Sequence, residues 1–87
     1  MAHNINYSKI RFQKSARRHR IGTLHNRYVI ENYEPISVVQ INETTIQYKW
    51  IGEDQRGREL EILADLEENV LTVFHVMPTV FRRKRNV

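Results

Sequence analysis

The fold class predicted for this chain is α+β, with two N-terminal helices packed on one face of an antiparallel sheet of about four strands. Three observations predict it. Helical spacing of apolar residues is confined to the first third of the chain, and β-branched or alternating segments fill the rest. Pro35 and Pro78, the only prolines, each bound a block. Helices followed by a run of strands is the α+β pattern, and alternation along the strands leaves one sheet face partly solvated. The 87 residues are enough for one domain, spanning 1–87, and leave no room for two.

Residues 1–8 are expected to fray. Phe12, Ala16 and His19 fall at i, i+4 and i+7, the stripe of a first helix that turns Arg17, Arg18 and Arg20 outward. Ile5 to Phe12 is also compatible with a strand. Gly22 closes that helix, and Thr23 suits the N-cap of a second, Leu24 to about Asn32. Leu24, Tyr28 and Glu31 share one of its sides, whereas Val29, Ile30 and Tyr33 suggest a broad buried face. After Pro35, Ile36–Ile41 is a β-branched run and Asn42-Glu43 a turn. Thr44–Gly52 alternates, with Ile46, Tyr48 and Trp50 on one face and Gln47, Lys49 and Ile51 on the other. The polar stretch Glu53–Arg58 is a loop with Gly57 available for positive φ.

The last two strands, Glu59–Asp65 and Val70–Met77, form a hairpin turned at Glu67-Glu68-Asn69 and stopped by Pro78. Two registers compete. In one, Ile62 faces Phe74 and Leu60 faces Val76, so that Glu61 lies opposite His75 on the outer surface. In the other, His75 faces Leu60 and points at the core. The first is favoured, because it buries Phe74 and spares an ionisable ring.

Charge is segregated. Seven cations and no acid lie between Lys9 and Arg27, namely Lys9, Arg11, Lys14, Arg17, Arg18, Arg20 and Arg27. The tail, residues 82–87, adds Arg82, Arg83, Lys84 and Arg85, while all ten acids lie between them and Arg27. Clustered cations release phosphate counterions on binding, which is the footprint of a nucleic-acid partner. Solvated faces and a basic tail would look the same in composition. The candidate nucleic-acid contacts are Lys49, Arg58, Arg17, Arg18, Arg20, Arg83, Lys84 and Arg85.

The absence of cysteine excludes a disulfide scaffold, a thiolate zinc site and a cysteine nucleophile. No apolar run approaches a membrane span. Met1–Ser8 lacks the layout of a secretory signal, so a cytoplasmic protein is expected. The histidines lack metal-ligand spacing, and no glycine-rich phosphate loop is present, so neither metal nor cofactor is expected. On the favoured register the outer surface gathers Gln47, Lys49, Glu59, Glu61 and His75, with Arg56 and Arg58 at its rim and Arg82 beyond Pro78. Carboxylate, imidazole and guanidinium suit acid–base chemistry on a phosphodiester, where the RNA strand's own 2′-hydroxyl is the nucleophile. Glu61 or His75 is the candidate base and the other the acid, with Arg56 and Arg82 clamping phosphate. An idle cross-strand pair of Glu61 and His75 is the plain alternative.

The block Trp50–Ala64, then His75-Val76-Met77-Pro78-Thr79 and Arg82, resembles small bacterial proteins grouped with BrnT-type toxins. Upstream, Ser15–Ile21 is similar to the helix-ending K-H-G-I element of that group, with Arg20 where the pattern commonly has glycine. The resemblance implies a RelE/ParE-like fold, an antiparallel sheet with helices on one face. It also implies a ribonuclease toxin of a type II toxin–antitoxin pair, with RNA as substrate and a small DNA-binding antitoxin as partner. Two other classes stand beside it. One is a non-catalytic RNA- or DNA-binding module using the basic ends, and the other an interaction protein that poisons a partner enzyme.

Overall fold

The computed structural model describes residues 5–81. Its elements run β1 (Lys9–Phe12), a short 3-10 helix (Lys14–Arg17), α1 (Thr23–Asn32), β2 (Ser37–Gln40), β3 (Thr45–Glu53), β4 (Glu59–Glu67) and β5 (Val70–Pro78). The strands form a five-stranded sheet in the order β1-β5-β4-β3-β2. β1 runs parallel to β5, and the other neighbours pair antiparallel.

The α+β class therefore holds, but the expected architecture is corrected in two respects. The sheet is mixed and five-stranded rather than antiparallel and four-stranded, and among the described residues one α-helix packs on it rather than two. The anticipated first helix fails for a local reason. Phe12 ends β1, paired with Val73, and Gln13 is extended, so the stripe from Phe12 to His19 is broken at its start. Lys14–Arg17 then form one turn of 3-10 helix in which only Ala16 is buried. In an α-helix the cations Lys14, Arg17, Arg18 and Arg20 would stack at i,i+3 and i,i+4 spacing, and like charges there repel. So short a helix also lacks the packing that would offset nucleation. Arg20 sits at φ 58, the left-handed region, which ends any helical run there.

α1 begins one residue earlier than expected. Gly22 is its N-cap and Thr23 its first helical residue. Asn26, Val29 and Ile30 are the buried face, while Leu24 and Tyr28 point outward. Val29, Ile30, Trp50, Leu60, Ile62, Ala64, Leu71, Val73 and Val76 form the core with Ala16 and Ile21. The register of β3 against β4 puts Trp50 beside Ile62 and Gly52 beside Leu60 on this face. Gly52 is required there, because a Cβ would stand 2.6 Å from the ring of Tyr33. Two buried polar atoms, Asn26 Oδ1 and Trp50 Nε1, have no hydrogen-bond partner among the described residues. Ile5 and Tyr7 pack against the core, and the Ser8 amide donates to Asn69 O (2.8 Å), while residues 1–4 of the segment expected to fray lie outside the described residues.

The β4–β5 register matches neither expectation. Glu68 and Asn69 have φ 52 and 65, the signature of a two-residue type I′ turn, and Glu67 pairs with Val70. The three-residue turn expected at 67–69 would have paired Leu66 with Val70. Ala64 then faces Val73, a β-bulge intervenes, and Leu63 faces His75, Ile62 faces Val76 and Leu60 faces Pro78. Phe74 is the extra residue. Leu71 and Val73 face inward, which puts Phe74 outside the core, and the bulge then reverses the phase to Val76 and Pro78, so His75 faces outward too.

Candidate functional site

On the sheet face opposite α1, β4 carries Glu61. Its direct neighbours are Ile51 on β3 and Met77 on β5. Lys49 and His75 lie on the diagonals, within reach of a long side chain. Both reach it. Lys49 Nζ stands 3.1 Å from Glu61 Oε2, and His75 Nε2 stands 3.2 Å from Glu61 Oε1. Glu61 is only 2% exposed, whereas the side chains of Lys49 and His75 are about a third exposed, at 30% and 32%. A buried carboxylate is thus held beneath two partly open cationic or ionisable groups. Burial of Glu61 is the feature that alternation alone did not indicate.

The bulge places Phe74 beside His75 in the wall of a groove of about 530 Å³. Its other walls are Ser15, Arg18 and His19 from the 3-10 segment, Val76 and Met77 from β5, and Phe81 from the closing helical turn Thr79–Phe81. The geometry has a local cause. β1 ends opposite Val73, and the Gln13 amide donates to Val73 O (2.9 Å). From there the 3-10 helix takes over that side of β5, where the Ser15 hydroxyl donates to Phe74 O at 2.5 Å. Bulges gather where a strand loses a regular neighbour. His19 and Phe81 meet edge-to-face across the groove mouth, their ring centres 5.1 Å apart.

The remaining candidates separate from this centre. Arg58 donates through Nε and Nη2 to Asp54 Oδ2 (3.2 and 3.1 Å), and the amides of Arg56 and Arg58 donate to Asp54 Oδ1 (2.9 and 3.0 Å). Asp54 is 4% exposed. Burial alone would raise its pKa, but these hydrogen bonds and the guanidinium charge outweigh it and hold the carboxyl below its ordinary 3.8. Arg58, read as a nucleic-acid contact, is thus the clamp of the β3–β4 loop, and Arg56 stands exposed in that loop. Arg17 and Arg20 border a second, more open hollow with Ile21, Gly22 and Thr23, while Arg18 lines the His75 groove. Gln47 donates to Asp65 (3.1 Å), and the Thr79 hydroxyl donates to Glu59 (2.6 Å). Arg82, Arg83, Lys84 and Arg85 lie outside the described residues.

Of the catalytic candidates, the structure therefore brings Glu61 and His75 together and adds Lys49. Sequence reasoning missed Ser15, His19, Phe74, Met77 and Phe81 as groove residues, and Asp54 as the loop's organiser. The Asp54 role has a signal: an aspartate three residues before Gly57 is a common turn pattern. The groove has none, since it depends on the bulge. Among the described residues no cluster of three or more His, Asp or Glu side chains has metal-binding geometry, and no helix is long and apolar enough to cross a membrane. No family model, curated protein or solved structure matches the chain.

Proposed function

We propose that this protein is a metal-independent endoribonuclease, acting as the toxin of a cytoplasmic toxin–antitoxin pair. The observation that carries the reading is the Lys49–Glu61–His75 cluster at the edge of a groove that also holds Arg18. A carboxylate paired with an ammonium group is a hydrogen-bond acceptor, so in the neutral ring the tautomer with Nε2–H donating to Glu61 leaves the lone pair on Nδ1. That is the tautomer of a general base. Glu61, being buried, positions the ring and stabilises the imidazolium that forms, in the way an acid residue behind a catalytic histidine does. The expectation that Glu61 itself exchanges protons with substrate is replaced by this positioning role.

In the reaction, His75 Nδ1 takes the proton of a ribose 2′-hydroxyl and the 2′-oxygen attacks the adjacent phosphorus. The bond from phosphorus to the 5′-oxygen breaks, and the leaving oxygen takes a proton from solvent. The products are a 2′,3′-cyclic phosphate and a 5′-hydroxyl. Lys49 and Arg18 stabilise the charge on the phosphoryl oxygens. A protein partner would find apolar surface along the β2 edge, where Ile36, Val38, Val39 and Ile41 are exposed. β2 is the last strand of the sheet among the described residues, and an edge strand of this kind is suited to strand addition.

The test is incubation of the purified protein with total RNA in EDTA. The expected products end in cyclic phosphate, and His75→Ala abolishes them while retaining the fold. Expression in a bacterial host should arrest growth, and the same substitution should relieve it. Strongly salt-dependent RNA binding with no cleavage product would replace this reading with a binding module.

A further inference from the structure

We propose that the groove between the Phe74 bulge, the 3-10 helix and the closing turn is a nucleobase subsite for single-stranded RNA. The choice of ligand class rests on the ribonuclease reading, and the groove's chemistry supports it independently. Four rings line the cavity, those of Phe74, His19, Phe81 and His75, together with Val76 and Met77. The Ser15 hydroxyl is already engaged with Phe74 O. A lining so apolar is a poor cradle for a phosphate, which needs several donors, and a good one for the π-face of a base. Cationic groups stand at the margin instead, Arg18 in the groove wall and Lys49 on the far side of Glu61. This is the layout of single-strand binding, aromatic platforms for bases beside cations for the backbone.

The bulge ties this subsite to the chemistry. Because Phe74 is the unpaired extra residue, it and His75 line the same groove instead of facing opposite sides of the sheet. A base seated against Phe74 brings its own ribose, with the 2′-hydroxyl, toward His75. The subsite thus selects unpaired nucleotides, since a base held in a duplex cannot enter, and stacking makes it tolerant of base identity.

The decisive measurement is fluorescence anisotropy with the full chain and two probes. One is a mixed-sequence 2′-O-methyl RNA decamer, which lacks the nucleophile. The other is an abasic decamer of the same charge. Stacking of one base is worth about 1–3 kcal/mol, so the base-bearing probe should bind about fivefold to a hundredfold more tightly. Phe74→Ala and Phe81→Ala should each remove much of that difference and leave abasic binding unchanged. Phe81 is 38% exposed, so its variant keeps the fold if truncation of Phe74 does not. Equal affinity for the two probes, or variants that weaken both alike, overturns the subsite. A protein partner that fills the groove without competition from RNA also overturns it. Unmodified RNA assayed alongside separates the two readings. Base-dependent binding without cleavage sustains the subsite and sinks the ribonuclease, and cleavage with no base dependence does the reverse.

Discussion

Two carboxylates are buried in this small protein, and they are held in opposite ways. Asp54 receives its hydrogen bonds from its own loop, two from backbone amides and two from Arg58, four residues away. Glu61 is met by Lys49 and His75, which come from the strands on either side and remain partly open to solvent. The first arrangement closes on itself. Asp54 has His25 Nδ1 3.6 Å away as well, and it shapes a turn without presenting a group to a ligand. The second points outward, because whatever touches His75 is coupled to the charge beneath it. Burial with a charged partner is therefore not enough to mark a site, since structural ion pairs share that property. What distinguishes Glu61 is that its two ion-pair partners come from the neighbouring strands and one of them, His75, lines a groove.

Substitution breaks the comparison most sharply in activity. His75→Ala should lower RNA cleavage by about a hundredfold or more, the usual scale for a lost proton-transfer group. Glu61→Gln should lower it less, and His75→Ala in that background should add little beyond its effect alone, because the two act as one unit. Asp54→Asn should leave cleavage per folded molecule unchanged. A rate assay corrected for folded fraction checks all three. Equal losses from Asp54→Asn and Glu61→Gln would show that both carboxylates act through the fold.

Stability should show the reverse ranking. Asp54→Ala removes the acceptor shared by two backbone amides and the half-exposed Arg58 guanidinium, and should cost about 2 kcal/mol in urea unfolding. Glu61→Ala frees two side chains that can turn to water, whereas the amides that Asp54 accepts are fixed in the backbone of the turn, so its cost should be smaller. The pH dependence sharpens this. Asp54 has a lowered folded-state pKa, so its contribution is present above the unfolded value, ordinarily 3.8, and is lost as the pH falls toward the folded one. The urea midpoint of the wild-type protein should therefore fall through that acid range more steeply than that of Asp54→Asn. Parallel curves for the two proteins would mean that the carboxyl is not held in its charged form.

The same contrast explains which parts were legible from residue order. Inward and outward positions of β3 and β4 follow from alternation, and Ile46, Tyr48 and Trp50 do share the inner face. The alternation pattern puts Glu61 and His75 near one another across strands for the right physical reason, an ionisable ring kept out of the core, though in the wrong register. The register depends on whether the turn uses two residues or three, and Glu68 and Asn69 in the left-handed region decide it. The bulge at Phe74 leaves no compositional trace. It arises where β1 stops beside β5, a pairing between segments about sixty residues apart that local pattern cannot anticipate. The basic run misled for the opposite reason. Its apolar spacing looked helical, but its charges oppose the helix that the spacing suggests.

The smallest effect tests how Asp54 is gripped. Arg58 sends two N–H donors to one oxygen, while the other oxygen is taken by two amides. Arg58→Lys keeps the positive charge and loses the fixed geometry of the guanidinium. The backbone bonds remain, so the cost should be about 1 kcal/mol, well below that of Asp54→Ala, with the loop and cleavage intact. At Lys49, where a single ammonium nitrogen meets Glu61, exchange to arginine has no such geometric loss and should be close to neutral in stability. Urea midpoints of the two exchanges give the comparison directly. If Arg58→Lys were as costly as Asp54→Ala, the side-chain clamp rather than the amide pair would be what shapes the β3–β4 turn.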